Sequence, residues 1–281
     1  MIGLVTDSNA QLPAGLVERY GVEVVPLTVV VDGEEHLEGV DLDADDFYDR
    51  FRTGRPKVST AQPSPGRFAT AYEAVAERGA TEILSVHIGS SVSGTVNSAR
   101  LATQVSPLPV RIVDTGTASF AVSLCLWEAA EAVAAGATLE EAATAAERVG
   151  ATVGNVFVVG VLDVAREGGR LSGDVATQGP ADIPVLTLSG GVMREIERCA
   201  GMDAAAEAMT AFVRASGSSL RVGVGLSDEG IRPLVSALED RLRVAPEVVE
   251  LVRYRIGPSV GAHTGPGTVG TMFAPTCTPL R

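Results

Sequence analysis

Strand-like and helix-like segments alternate along the first half of this chain at the spacing of βαβ units, and this alternation constrains the fold more than any other feature. Apolar, β-branched runs at 2–5, 82–88 and 110–113 are each followed by a polar segment and then by a helix-like segment, such as the one at 13–20 after the first run. Strands linked by helical crossovers pair in parallel. The pattern therefore predicts an α/β fold with a parallel sheet in the N-terminal part.

The second half follows a different order. Strand-like runs at 183–188 and 192–197 flank Ser189-Gly190-Gly191, a hairpin signature. Helix-like segments at 202–215 and 232–242 alternate with further strand-like runs. This order predicts a smaller α+β domain beside the parallel-sheet domain.

The division between the two predicted domains falls near 150–155. We therefore expect a parallel-sheet domain at 1–152 and an α+β domain at 153–281, with an approximate boundary. The segment around 56–78 is expected to pack with the second domain.

Several local expectations follow from short patterns. The β-branched run at 22–31 predicts one long strand, and Asp32-Gly33 predicts the turn after it. Asp43 is well placed to cap a helix, and 138–141 has the spacing of a capping box. The carboxylates of 32–49 match no EF-hand pattern, so they indicate a solvated acidic face, and His36 among them is expected to be solvated.

Composition excludes several classes of protein. The net charge of −13 argues against nucleic acid as a partner, because phosphate binding requires clustered basic residues. Lys57 is the only lysine in the chain, which excludes a P-loop ATPase. Cys125, Cys199 and Cys277 lie far apart, so neither a disulfide framework nor a zinc site is expected. We expect no metal and no cofactor.

The sequence also predicts no integral membrane segment. Its most apolar stretch, 118–127, has about ten residues and is interrupted by Glu128, whereas a bilayer span requires about 20. The first residues form a strand-like run without the basic region of a signal peptide. We therefore expect a soluble, cytoplasmic protein.

Hydroxyl-rich segments follow the predicted strands and indicate a binding site. The segment 90–95 lies between a buried strand and a helix, where free backbone N–H groups and nearby hydroxyls favour a carboxylate or phosphate. Asp7, Ser8 and Thr60 end other elements and could face the same crevice, as could the 114–115 pair. The alternative is that the serines only cap helices.

A nucleophilic serine is a further hypothesis for this segment. Residues 89–93 miss the G-x-S-x-G motif because Ser93 stands where glycine is required. Of the possible partners, His87 is expected in the core. His263 is flanked by glycines that allow close approach to a ligand, although it could simply bond to its own loop. The G-x-G-x-x-G match at 265–270 lacks a following helix and is rejected as a dinucleotide site.

Five segments together resemble the DegV family of bacterial fatty-acid-binding proteins. In chain order they are Val5-Thr6-Asp7-Ser8, Thr60-Ala61-Gln62-Pro63-Ser64, Ser90-Ser91-Val92-Ser93-Gly94-Thr95, Gly168-Gly169-Arg170-Leu171-Ser172 and Gly261-Ala262-His263-Thr264-Gly265-Pro266-Gly267. The resemblance covers essentially the whole chain. It implies a two-domain protein with a long-chain fatty acid between or beneath the domains.

The same resemblance implies roles for individual residues. Thr60, Ser93 and His263 match the positions that meet the fatty-acid carboxylate. Residues expected in the vicinity of the ligand are Asp7, Ser8, Ser91, Gly94, Thr95 and Gly265. Arg170 is a candidate contact for a partner, or a structural surface arginine. The family's usual serine is replaced by Ala61, which removes one hydroxyl.

The family resemblance further implies a partner. Members present the bound carboxylate to a separate ATP-dependent fatty acid kinase, which forms an acyl phosphate for phospholipid synthesis. On this interpretation the chain is not itself an enzyme. Two alternatives stay open: a serine-dependent acyl hydrolase or transferase using Ser93 and His263, and a lipid-sensing regulatory protein without a kinase partner.

Overall fold

The computed structural model describes residues 1–160, 182–189 and 192–276. In these ranges the strands, in chain order, are β1 (Ile2–Asp7), β2 (Glu23–Val25), β3 (Thr28–Val31), β4 (Glu34–Leu37), β5 (Val58–Ala61), β6 (Glu82–His87), β7 (Val110–Asp114), β8 (Gly154–Val158), β9 (Asp182–Ser189), β10 (Val192–Ala200), β11 (Leu220–Leu226), β12 (Val248–Arg255) and β13 (Val269–Pro275). The helices are α1 (Ala14–Tyr20), α2 (Ala44–Thr53), α3 (Pro65–Glu77), α4 (Thr95–Ala102), α5 (Phe120–Ala134), α6 (Leu139–Thr152), α7 (Met202–Ala215), α8 (Arg232–Arg243) and α9 (Pro258–Thr264).

The strands form three sheets. A four-stranded parallel sheet has the order β2-β1-β6-β7, and a six-stranded mixed sheet has the order β10-β9-β8-β13-β11-β12. The predicted parallel sheet in the N-terminal part is therefore confirmed, as is a differently built second half. A third, antiparallel sheet of order β4-β3-β5 was not predicted.

The two large sheets share a layer of helices. One face of the parallel sheet packs on α3 and α4, and the other packs on α5 and α6. The same core cluster includes Tyr254, Ile256 and Ala274 of the second half, with Phe120 stacked on Tyr254 at 4.5 Å. Helices α7 and α8 cover the opposite face of the mixed sheet. The core is therefore continuous from one half to the other.

The prediction of a single long strand at 22–31 is wrong. The run is divided at Pro26 into β2 and β3, which belong to different sheets. Proline has no N–H to donate to a ladder, and the next amide, that of Leu27, donates instead to Ser8 Oγ at 2.9 Å. The Asp32-Gly33 turn is present, with positive φ at both residues.

The acidic segment is only partly a solvated face. His36 lies on β4 with a side chain 17% exposed, 3.9 Å from Asp41 and 3.5 Å from Arg50, so its expected solvation is wrong. Glu38 is 6% exposed. His36 is covered because β4 pairs with β3 and forms part of a packed sheet. Glu38 follows β4, and its carboxylate is covered where it accepts hydrogen bonds from Ser8, Gln11 and the amide of Ser259.

Local capping behaves as the sequence predicts. Asp43 caps α2 by accepting from the amide of Asp46 at 2.8 Å.

Strands β9 and β10 pair antiparallel with Ser189 opposite Val192, which confirms the predicted hairpin strands. The glycine-rich tail, by contrast, contains the short helix α9, which was not predicted.

Within the described ranges, no helix combines the length and the apolar character needed to cross a membrane.

Candidate functional site

The centre of the candidate site is a contact between the two halves of the chain. Thr60 Oγ1 on β5 lies 3.1 Å from Nε2 of His263, although 203 residues separate them in sequence. Both side chains are half-buried. Strand β5 positions Thr60, and the last turn of α9 positions His263. A hydroxyl and an imidazole thus meet at the surface between the small sheet and α9.

Ser93 lies in the loop before α4. Its Oγ atom is 2.8 Å from Thr95 Oγ1 and accepts from the amide of Thr95 at 3.3 Å. Thr95 is fully buried, so Ser93 is the more accessible hydroxyl of the pair. The loop therefore holds a hydroxyl close to the first amide of a helix, where an anion is favoured.

Gln62 connects the segment of Thr60 to the loop of Ser93. Its amide Nε2 donates to Ser98 Oγ on α4 at 3.2 Å. A β-carbon at Gly94 would lie only 1.7 Å from Gln62 Oε1. Gln62 follows Thr60 by two positions and Gly94 directly follows Ser93, so this packing holds the two predicted carboxylate-binding hydroxyls in neighbouring segments.

The loop after His263 is held by two close contacts. Gly265 ends α9 with φ of 73°, a left-handed conformation that favours glycine. The amide of Gly267 donates to Asp228 Oδ2 at 2.6 Å, and a β-carbon at Gly160 would lie 2.3 Å from the carbonyl of Pro266. The chain just beyond β8 therefore lies directly against the loop that follows His263.

Asp7 and His87 belong to a buried network. His87 Nδ1 lies 2.9 Å from Asp7 Oδ2, and Nε2 lies 2.6 Å from Ser85 Oγ. Tyr72 OH extends the chain to Ser85 at 3.1 Å, and burial raises the pKa of Tyr72 to about 12. All four side chains are fully buried. The core position expected for His87 is therefore confirmed, and Asp7 faces this network.

Ser8 contacts a different carboxylate. Its hydroxyl donates to Glu38 Oε2 at 2.5 Å. Burial raises the pKa of Glu38, against the opposing effect of hydrogen bonds from Ser8 and Ser259. Ser8 therefore serves a contact between the N-terminal part and α9. Nothing in the residue pattern of 32–49 indicated that one of its carboxylates is buried.

Ser91 lies on another surface. Together with Ser90 it lines a shallow depression of about 480 Å³ with Asp114 and Thr115. The amide of Ser90 donates to Asp114 Oδ1 at 3.1 Å. Thr60, Ser93 and His263 do not line this depression. Arg170 and the rest of its motif lie outside the described residues.

An apolar cluster lies on the face of the mixed sheet opposite α7 and α8. It consists of Phe157, Val159, Leu186 and Met193, with Leu188 packed against it. Phe157 and Leu186 are directly paired on β8 and β9. Side chains alternate between faces along a strand, so Val156, Val158 and Val185 face the helices instead. Because the chain just beyond β8 lies against the loop after His263, this cluster begins next to the candidate site.

Three residues that hold segments of the site in place were not predicted from the sequence. Gln62, Glu38 and Asp228 each fix one of its segments by a side-chain hydrogen bond. Gln62 lies inside one of the five family motifs, so its position could have been a signal. Glu38 and Asp228 could not be found this way, because their partners are distant in sequence.

The fold and the site together define an α/β protein with two large sheets that share a helical layer, in which a hydroxyl from the first half meets an imidazole from the second. The model of the DegV family, described as uncharacterised protein, matches residues 1–276. The chain belongs to the DegV family.

Individual relatives match nearly the whole chain. A DegV domain-containing protein of Streptomyces coelicolor, SCO2569, is 36% identical over 276 residues, covering 97% of this chain and 98% of the relative. A DegV family protein from Thermus thermophilus, whose structure is described as fatty acid binding, has a TM-score of 0.84 at 34% identity, with 98% of this chain and 99% of that chain covered.

A second solved structure is similar to the same extent. It is a hypothetical protein from Thermotoga maritima described as revealing a fatty acid binding function. Its TM-score is 0.84 at 30% identity, and the match covers 97% of this chain and 98% of that one. The two-sheet fold is therefore that of solved DegV family structures.

Proposed function

We propose that this protein binds a long-chain fatty acid and holds the carboxylate with Thr60, Ser93 and His263. The observation that carries the proposal is the 3.1 Å contact between Thr60 Oγ1 and His263 Nε2. Two solved relatives at 30% identity or more are described as fatty acid binding, which supports the same ligand for this chain.

The chemistry of the three side chains suits a carboxylate. Hydroxyls of Thr60 and Ser93 donate hydrogen bonds to its oxygens, and each charge-assisted bond contributes about 1.5–3 kcal/mol. The imidazole of His263 can donate or relay a proton. Ser93 also lies at the start of α4, where the partial positive charge of the helix favours an anion.

We place the acyl chain along the apolar cluster formed by Phe157, Val159, Leu186 and Met193. These side chains are buried. Phe157 lies on β8 and Val159 directly follows this strand, and the next residue, Gly160, lies against the loop after His263. Each buried CH₂ contributes about 0.8 kcal/mol. Burial of the chain therefore supplies most of the affinity, while the head-group contacts orient the carboxylate.

The finer part of the proposal is delivery to an ATP-dependent fatty acid kinase in the cytoplasm, which would phosphorylate the bound carboxylate for phospholipid synthesis. This division of labour agrees with a sequence whose only lysine is Lys57 and which has no P-loop. The chain would need no cofactor of its own. Arg170 is the residue we propose as a contact for the kinase or for the acyl phosphate.

The hydrolase alternative has less support. A nucleophilic serine requires a base within hydrogen-bond reach, but the contact of Ser93 is with Thr95 Oγ1. The imidazole of His263 instead lies against Thr60. A lipid-sensing regulator without a kinase would share the head-group site, and a kinase assay with the loaded protein separates it from a carrier.

The first test is mass spectrometry of the purified protein, under native conditions and again after organic extraction. We expect a mass increment of a C14–C18 fatty acid that disappears on extraction. A protein that carries no lipid and takes up neither oleate nor palmitate after delipidation would contradict the proposal.

The second test addresses the head-group residues. Thr60→Ala and Ser93→Ala should each raise the Kd for oleate by about tenfold, because each removes a hydrogen bond to a charged group. Ser59→Ala is the matched control, because Ser59 is the exposed neighbour of Thr60 on β5 and points to the other face. Equal affinities of the three variants would remove Thr60 and Ser93 from the site.

A further inference from the structure

Helix α9 is attached to the first half of the chain by four buried polar side chains, which we call the α9 latch: Asn9, Gln11, Glu38 and Ser259. Gln11 Oε1 accepts from the amide of Gly257, and Asn9 Nδ2 donates to Ser259 Oγ at 3.3 Å. Asn9 Oδ1 in turn accepts from the amide of Ser119 at 2.8 Å, at the start of α5. The latch therefore joins the segments that follow β1 and β4 to the starts of α5 and α9.

Glu38 lies at the centre of the latch. Its Oε1 atom accepts from the amide of Ser259 at 2.8 Å and from Gln11 Nε2 at 3.4 Å, while Oε2 accepts from the Ser8 hydroxyl at 2.5 Å. Among the described residues these donors are all neutral. Burying a carboxylic acid without a cation beside it costs free energy unless its oxygens are hydrogen-bonded. The carboxyl group of Glu38 must therefore stay in the position that keeps these hydrogen bonds.

The backbone of α9 is shaped around this carboxyl group. A β-carbon at Gly257 would lie 2.7 Å from Glu38 Oε1 and 3.2 Å from Gln11 Oε1. The first turn of α9 therefore approaches Glu38 as closely as a glycine allows. Because α9 is only seven residues long, fixing its first turn also fixes its last turn, which carries His263.

We infer that Glu38 is a positioning residue for the head-group site, acting through α9 to hold His263 against Thr60. This inference rests on the proposed fatty-acid site, but the position of the imidazole can be measured without a ligand. For this role, the side chain at position 38 must be long enough to reach the amide of Ser259 and must accept a hydrogen bond from it. Its negative charge is not required.

The experiment compares three substitutions of Glu38 with one control. Glu38→Gln keeps the length and an acceptor oxygen, Glu38→Asp keeps the charge but is one methylene shorter, and Glu38→Ala removes both. Glu35→Ala is the control, because Glu35 is exposed on the neighbouring strand β4. The readouts are the NMR titration of the His263 ring in the delipidated protein and the Kd for oleate. With only three histidines in the chain, His263→Asn identifies the resonance.

We expect Glu38→Asp and Glu38→Ala to change the His263 titration and to raise the Kd for oleate by about tenfold, the equivalent of one charge-assisted hydrogen bond. Glu38→Gln and Glu35→Ala should match the wild type in both readouts. If Glu38→Ala does not fold, the comparison of the Glu38→Asp and Glu38→Gln variants tests the inference. A wild-type His263 titration in Glu38→Asp would overturn the inference. Failure of the wild type to bind oleate would instead contradict the proposed function and leave the imidazole comparison valid.

Discussion

Gly94 and Gln62 illustrate how single residues shape the candidate site. The β-carbon of any other residue at position 94 would collide with the Gln62 amide, whose oxygen lies 1.7 Å from that point. Gln62 is a flexible, exposed side chain, so it can move aside without unfolding the protein. Gly94 is therefore needed because it leaves room for the Gln62 side chain, and not because the backbone conformation at position 94 requires glycine.

A double-mutant cycle tests this coupling. Gly94→Ala and Gln62→Ala should each raise the Kd for oleate by about fivefold, because each removes the contact that aligns the Thr60 and Ser93 segments. The double variant should bind as well as Gln62→Ala alone, since the two changes break the same contact. Gly66→Ala is the control, because its nearest contact is an ordinary 3.7 Å. Additive effects would show that Gly94 acts independently of Gln62.

At the scale of elements, the helices show which glycines are replaceable. A β-carbon added at Gly15 in α1 would have no atom within 4 Å, whereas one added at Gly261 in α9 would lie 2.5 Å from Tyr48 OH and 2.7 Å from Phe47 Cε1. Phe47 and Tyr48 are buried on α2 and pack edge to face at 5.0 Å. Helix α9 can therefore approach α2 only because residue 261 has no side chain.

Opposite effects on stability are expected at these two positions. Gly15→Ala should raise the free energy of unfolding by about 0.5–1 kcal/mol, since alanine loses less conformational entropy in a helix. Gly261→Ala should lower it by about 1–3 kcal/mol through overpacking against α2. Urea denaturation followed by circular dichroism measures both. A stabilised Gly261→Ala variant would mean that α9 and α2 are not closely packed.

At the scale of the whole molecule, the two halves are joined by the buried guanidinium group of one arginine, Arg221. Arg221 on β11 lies over the ring of Trp127 at 4.1 Å, and its guanidinium contacts Glu128 of α5 at 3.4 Å and Glu250 of β12 at 2.9 Å. The Arg221 and Glu128 side chains are 5% and 4% exposed. These contacts connect the helical layer of the first half to the mixed sheet.

Removal of this cation should destabilise the whole protein. Arg221→Leu should lower the free energy of unfolding by about 3 kcal/mol, because it takes a partner from a buried carboxylate. Arg243→Leu is the control, since Arg243 pairs with Asp240 on the exposed side of α8 and exposed pairs contribute little. Equal losses in the two variants, measured by chemical denaturation, would contradict a joining role for Arg221.

The sequence by itself determined the features that depend on near neighbours. The predicted caps at Asp43 and at Thr138–Glu141 are present, as are the hairpin strands around Ser189 and the alternation that builds the parallel sheet. These features follow from hydrogen bonds and hydrophobic periodicity within a few residues, which a sequence displays directly. The order of five motifs also identified the family.

Only the tertiary structure decided the rest. The division of 22–31 between two sheets, the burial of Glu38 and the meeting of Thr60 with His263 all depend on partners far away in sequence. A side chain is buried or exposed according to what packs on it, and a strand joins the sheet whose edge lies beside it. Such long-range packing leaves no periodicity in the local sequence, so the geometry of the site appears only when the chain is folded.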